Sequence, residues 1–235
     1  MAVRKMVSIV AILALVFCLF ACGKESWLEG KLVDGKGQPL SGVNVIAKQL
    51  TPIKGYEQFE VTSGHDGTFK FKNLYPLSQY ELKPWSDKWT TETSLTVESA
   101  PQGETVRLPS PMTIRFSVDK EGVIADSKMG LEWIVADRVT NNYNVAVAWV
   151  RGCRIAGGDW RMPTRVELRM LYTKGFTEMN IDPNFKTQIQ QVWAEPDPGG
   201  SNAWVFSFIN GHDFLAWSNY DERYSVFGVR SLRRK

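Results

Sequence analysis

The side chains best suited to chemistry are few: three cysteines, Cys18, Cys22 and Cys153, and two histidines, His65 and His212. Zinc needs such residues in close pairs, and neither a Cys-x-x-Cys nor a His-x-His spacing occurs. No metal and no cofactor is expected. A thiol nucleophile needs a base within hydrogen-bond reach. Only Cys153 with His212 would supply one, and nothing local supports that pairing, so no catalytic residue is assigned and the chain reads as non-enzymatic. Apart from the neighbouring Arg151 and Arg154, nothing would lower the Cys153 pKa. The expectation there is a buried thiol acting as a small hydrophobe. Trp160-Arg161 reads as a packed tryptophan beside an arginine paired to a carboxylate. The remaining chemistry is recognition. Arg230, Arg233, Arg234 and Lys235 gather at the end of the chain, and guanidinium forks bind sulfate and phosphate in pairs of hydrogen bonds. Trp217, Asn219, Tyr220, Arg223 and Tyr224 fall in a polar, aromatic stretch expected to form a loop between two strands, where ligand contacts concentrate. These five, with Arg233 and Arg234, are the expected ligand-binding residues.

Cys22 has a different role. Arg4 and Lys5 precede an apolar run from Val7 to Phe20, and Ala21 stands just before the cysteine. A charged start, an apolar stretch and a small residue at a cut form a secretory signal. The run is shorter than the ~20 residues that cross a bilayer. The segment 19–22 resembles the lipobox of bacterial lipoproteins. That resemblance implies a signal peptide over 1–21, an acylated Cys22 and a membrane-anchored mature chain. Gly23 in place of aspartate implies the outer membrane if the host has one. Cys18 then leaves with the signal, Cys22 carries lipid and Cys153 has no intramolecular partner.

The bulk of the chain is sized for one large or two small domains. Its 235 residues are 12% aromatic, which suits packed cores rather than disorder. Removing Arg4 and Lys5 lowers the formal charge from +3 to +1. That balance gives no global attraction to nucleic acid.

After a tether over 22–26, residues 27–108 read as all-β. The run Asp34-Gly35-Lys36-Gly37-Gln38-Pro39 is dense in turn formers. Phe69 and Phe71 alternate with Lys70 and Lys72, the period of a half-buried strand. Short strands separated by turns predict a β-sandwich. Gly30-x-x-x-Asp34-x-x-Gly37-x-Pro39-Leu40-x-Gly42-Val43, then Asp66-Gly67-x-Phe69-x-Phe71-x-x-Leu74, resembles the carboxypeptidase regulatory-like, transthyretin-like domain. Such a domain is implied to be a spacer or interaction module. Pro109-Ser110-Pro111 disfavours helix and is expected to form a short linker.

Residues 112–235 read as mixed α and β. Strands are expected at 113–118, 130–135, 203–209 and 225–232. Tyr143, Ala146, Val147 and Val150 recur at helical spacing, with Asn142 as N-cap. Thr164-x-x-Glu167 is a capping box for a second helix. Asn210-Gly211 marks a hairpin. The residues Arg115-Phe116, Asp126-x-x-x-Gly130-Leu131-x-Trp133, Cys153, Trp160-Arg161-Met162-Pro163-Thr164-x-x-Glu167-Leu168, Trp193, Trp204-x-x-x-Phe208-x-x-Gly211 and Val229-Arg230-x-x-Arg233 resemble the C-terminal domain family of the collagen-like adhesin Lcl. Ala194-Glu195 stands where that family tends to have two serines. The resemblance implies a C-type-lectin-like fold related to formylglycine-generating enzymes, and a polyanion such as a sulfated glycan as ligand. Those enzymes depend on a cysteine pair, and Cys153 stands alone here. Glu195-Pro196-Asp197 and Trp217-Ser218-Asn219 are similar to short calcium-lectin motifs, but do not supply the six to eight oxygens calcium takes.

The expected fold is thus β-rich with two domains: a transthyretin-like sandwich followed by an α+β C-type-lectin-like domain. The expected function is a lipoprotein held to the bilayer through Cys22. It would display a binding module for glycan, polyanion or a surface protein. The alternative is an envelope structural or assembly protein docking on a protein partner.

Overall fold

The computed structural model describes residues 25–233, apart from 176, 188, 200, 201 and 218 and the side chains of 219–221. The signal segment, Cys22, Arg234 and the side chains of Asn219 and Tyr220 lie outside that description.

The chain is β-rich. Its first part runs through β1 (Ser26–Asp34), β2 (Asn44–Gln49), β3 (Gln58–Thr62), β4 (Thr68–Leu74), β5 (Gln79–Trp85), β6 (Trp89–Thr90), β7 (Leu95–Glu98) and β8 (Thr105–Arg107). Then come β9 (Met112–Ile114), β10 (Phe116–Asp119), β11 (Ile124–Asp126), β12 (Leu131–Asn142), α1 (Tyr143–Gly152) and α2 (Arg165–Arg169). The chain closes with β13 (Gln191–Pro196), β14 (Asn202–Ser207), β15 (His212–Trp217) and β16 (Asn219–Ser231).

Two four-stranded sheets enclose the first core. One holds β4, β1 and β8, with β9 also on β1; the other runs β3-β2-β5-β7. The alternation read at Phe69 and Phe71 is real: both rings are buried while Lys70 and Lys72 face water. They meet Leu28, Leu32, Val45, Tyr80 and Leu82 in one cluster.

The third sheet has eight strands, ordered β15-β14-β13-β16-β12-β11-β10-β6. Both of its faces are covered. Trp133, Val192, Phe227 and Val229 point into one core with Leu168 of α2. Ile134, Trp193, Tyr224 and Val226 point into the other, with Ala146 and Val150 of α1. A strand buried on both faces reads as a continuous apolar run, which is what 226–229 shows. Gly228 lies opposite Ile134 in the register, and an added Cβ there would stand 2.7 Å from the Ile134 side chain.

The expected linker at 109–111 does not separate the two parts structurally. β9, beyond it in the chain, pairs with β1, while β6, before it, pairs with β10. The Thr91 hydroxyl donates to the Phe116 carbonyl at 2.9 Å, and the Gly35 N–H donates to the Ser127 hydroxyl at 2.8 Å. Met112 and Ile114 complete the first core. Two prolines stiffen the crossover, but short strands exchanged across it join the parts.

Candidate functional site

α1 forms as its sequence predicts. Tyr143, Ala146 and Val150 are its buried positions, and the Asn142 side chain accepts from the N–H groups of Asn144 and Val145 at 2.9 and 3.3 Å. Satisfying those orphan donors starts the helix where the apolar stripe starts. The remaining face carries Asn144, Val147 and Arg151. This face forms one wall of a cleft of about 440 Å³. Trp160, Arg161 and Met162 form a second wall, and Glu195 with Pro196, at the end of β13, a third.

Each wall is fixed. Arg161 exchanges backbone hydrogen bonds with Val229 at 3.0 and 2.9 Å, which ties the 160–162 segment to β16. The Trp160 indole donates to the Ile155 carbonyl at 3.0 Å, and Arg230 stacks on its ring at 4.0 Å. The capping box of α2 is present, and Glu167 also takes both forks of Arg161, at 2.5 and 2.8 Å. Burial pushes the Glu167 carboxyl up, but Arg161 and the Thr164 N–H outweigh that and hold it below the usual carboxylate range. Glu195 accepts from the Arg165 N–H at 2.5 Å and from Arg165 Nε at 2.9 Å. Arg165 lies over the Trp204 ring at 3.7 Å and also reaches Asp213, which Arg169 binds too. Glu195, the first residue of the calcium-lectin echo, is therefore committed to a guanidinium. Among the described residues no group of three or more His, Cys, Asp or Glu converges as a metal site.

Two groups in the cleft stay chemically available. Tyr143 is pushed up to about 12, first by burial and then by the nearby Glu195, so its hydroxyl keeps its proton across the neutral range. Arg151 is exposed and makes no hydrogen bond or ion pair among the described residues. The cleft thus offers one uncommitted cation, a neutral phenol and an apolar floor of Val147, Trp160 and Met162. Such a lining suits a ligand with an anionic group and some apolar surface.

The residues expected to bind ligand fall elsewhere. Where a loop is expected over 217–224, β15 ends at Trp217 and β16 begins at Asn219, whose pairing with Asn142, like that of Tyr224 with Thr140, joins it to β12. Tyr224 is 1% exposed, packs edge-on to Trp193 at 4.7 Å, and gives its hydroxyl proton to Glu222. It is a core residue and not a ligand contact. Trp217 is 67% exposed on edge strand β15, and Arg223 is exposed on β16. Arg233 donates to the carbonyls of Ala156 and Gly158 and to Asp159, so its fork is occupied within the chain rather than held out for an anion. Arg230 is buried against Glu132. Cys153 follows α1 and packs beside Trp160's cluster, whereas His212 opens β15. The expected ligand-binding set leaves out Tyr143 and Arg151, and Glu195 enters the sequence reading only as part of a calcium-lectin motif. Tyr143, Val147 and Arg151 recur four apart, a signal that one helix face carries more than core.

The arrangement defines a β-rich chain whose second part is a two-faced sheet with a cleft beside one helix. A family model, the Lcl C-terminal domain, matches residues 122–230, so that stretch carries such a domain. Among curated proteins none matches this chain. Of solved structures, 3-chlorocatechol 1,2-dioxygenase from Rhodococcus opacus is similar at 14% identity, covering 32% of this chain and 44% of its own, with a TM-score of 0.24. The adhesin InvE of Yersinia pseudotuberculosis is similar at 13% identity, covering 88% of this chain and 60% of its own, with a TM-score of 0.30. The chain spans less than two thirds of either protein, and scores this low establish no shared fold.

Proposed function

We propose that this chain is a lipoprotein anchored through acylated Cys22, whose first part is a transthyretin-like sandwich and whose second part is a C-type-lectin-like binding domain. It recognises an anionic glycan without transforming it. The observation that carries this reading is Arg151, an uncommitted guanidinium on the rim of a cleft that also holds a protonated tyrosine and apolar surface. The other arginine of the cleft and two behind it are already taken: Arg161 by Glu167, Arg165 by Glu195 and Asp213, Arg230 by Glu132. The non-enzymatic reading rests on the same commitments. Glu167, held ionised by its partners, is a poor proton donor at neutral pH.

The test is retention of the full-length chain, in detergent micelles, on immobilised heparin and on an array of sulfated glycans. Arg151→Glu should weaken retention at least about tenfold and flatten its salt dependence. Retention unchanged by that substitution would count against the cleft. A second reading, docking on a protein of the cell envelope, is favoured by Trp217 and Leu215, exposed on edge strand β15. Cross-linking from position 217 into a single envelope protein, together with no glycan retention, would favour it.

A further inference from the structure

A second cleft, of about 500 Å³, opens where the two parts of the chain meet. Its walls come from the segment between β6 and β7, from β9 and β10, and from the chain around 171–183. They are held by the exchanged strands, and by Arg115, which binds Asp126 with two nitrogens and the Met170 carbonyl at 3.1 Å. The cleft therefore needs no hinge movement to form. Its volume falls within the range of about 300–1,000 Å³ typical of small-molecule sites, and junctions between structural units are a preferred place for them.

The lining differs in kind from that beside α1. The hydroxyls of Ser94, Thr113 and Thr173 make no side-chain hydrogen bond among the described residues. Asp182 spends one oxygen on Asn184 and leaves the other unpaired among the described residues. Glu92 is half exposed and forms a long ion pair, at 3.9 Å, with an equally exposed Lys83, which leaves its other oxygen open. Arg115 is neutralised by Asp126, which is fully buried, so its charge is not offered to a ligand. Phe116 and Leu171 supply an apolar floor.

We propose that this junction cleft binds an uncharged saccharide. Sugar hydroxyls both donate and accept. Here the carboxylates of Glu92 and Asp182 accept, while three free hydroxyls do either. The unpaired Asp182 oxygen repels sulfate and carboxylate groups, and Arg115 is neutralised, so the ligand class is distinct from the anion assigned to Arg151. The two sites can be tested independently.

The test is isothermal titration of the full-length chain in micelles with cellotetraose, maltotetraose and chitotetraose, and with a heparin tetrasaccharide as the anionic arm. At least one neutral tetrasaccharide should bind. Thr173→Trp, which fills the cleft from an exposed position, should weaken it tenfold or more and leave heparin binding as it was. Ser94→Trp fills the opposite wall and serves if the first variant does not fold. The proposal is overturned if no neutral tetrasaccharide binds, if both folded variants bind it as the parent does, or if heparin competes with it. Loss of heparin binding in Arg151→Glu with neutral binding retained separates this proposal from the reading of the α1 cleft.

Discussion

The buried pair of Arg230 and Glu132 gives the sharpest test of how this domain holds its binding wall. The two side chains are 6% and 8% exposed, with Arg230 Nε and Nη2 each 2.7 Å from Glu132 Oε2. Arg230 Nη1 also donates to the carbonyls of Ala156 and Gly158 at 3.0 and 2.5 Å. Those carbonyls belong to a run with positive φ at Ala156, Gly157, Gly158 and Asp159. Ala156 and Asp159 adopt it at a cost that side chains normally avoid, so the run persists because the guanidinium groups hold its carbonyls. Glu132→Ala would leave a buried guanidinium without its counter-charge. Breaking a buried pair from one side costs about 3–5 kcal/mol, or a fall in Tm of roughly 6–20 °C for the 235-residue chain unfolding as one unit. Urea unfolding followed by tryptophan fluorescence measures this as a shift in midpoint at constant slope. The double variant Glu132→Leu with Arg230→Met removes both charges and keeps the volume. It should recover most of the loss, to within about 1–2 kcal/mol of the parent, because Arg233 still holds the Ala156 and Gly158 carbonyls at 3.0 and 3.3 Å. A Glu132→Ala variant within about 0.5 kcal/mol of the parent, at the level of ordinary surface changes, would refute the reasoning. So would a double variant less stable than Glu132→Ala.

Two further predictions concern charge and anchoring. Glu167 is held below its ordinary value of 4.5 in the folded chain, so the unfolded chain binds more protons in the acid range. Its contribution is complete above pH 4.5 and is lost as pH falls through the lower folded value; Glu167→Gln should flatten the acid limb of urea midpoint against pH, and an unchanged limb would count against the pairing with Arg161. Cys22→Ser should abolish incorporation of an alkynyl palmitate and release the chain from the membrane fraction, and a variant that still labels would remove the lipoprotein reading.

Local signals made much of the fold legible. The N-cap at Asn142, the capping box from Thr164 to Glu167 and the turn at Gly211, where φ is +78°, each involve residues within a few positions of one another. Period-2 burial at Phe69 and Phe71 is legible for the same reason. The extension of β16 back to Asn219 is not, because what orders it is β12, reached through Thr140 and Asn142 far earlier in the chain. Tyr224 therefore looked like loop aromatics, although Trp193 and Thr140 make it core. The join between the parts failed similarly: Pro109 and Pro111 mark a turn, but pairing of Met112–Ile114 with β1 is a long-range event.

The same distinction decides which arginines can recognise a ligand. Clustering in sequence singled out Arg230 and Arg233, yet their partners Glu132 and Asp159 lie 98 and 74 residues away. A guanidinium is available only if no nearby carboxylate or carbonyl already fills its fork, and that depends on the fold rather than on charge density along the chain. Arg151 reads as an ordinary residue in the last turn of a helix, where a cation favours the helix dipole. It becomes the candidate anion contact because the carboxylate that lines its cleft, Glu195, is spent on Arg165. Removing that pairing would leave a carboxylate without its guanidinium in the cleft that Arg151 lines. On this argument Arg165→Ala should weaken anion binding by releasing Glu195, even with Arg151 in place.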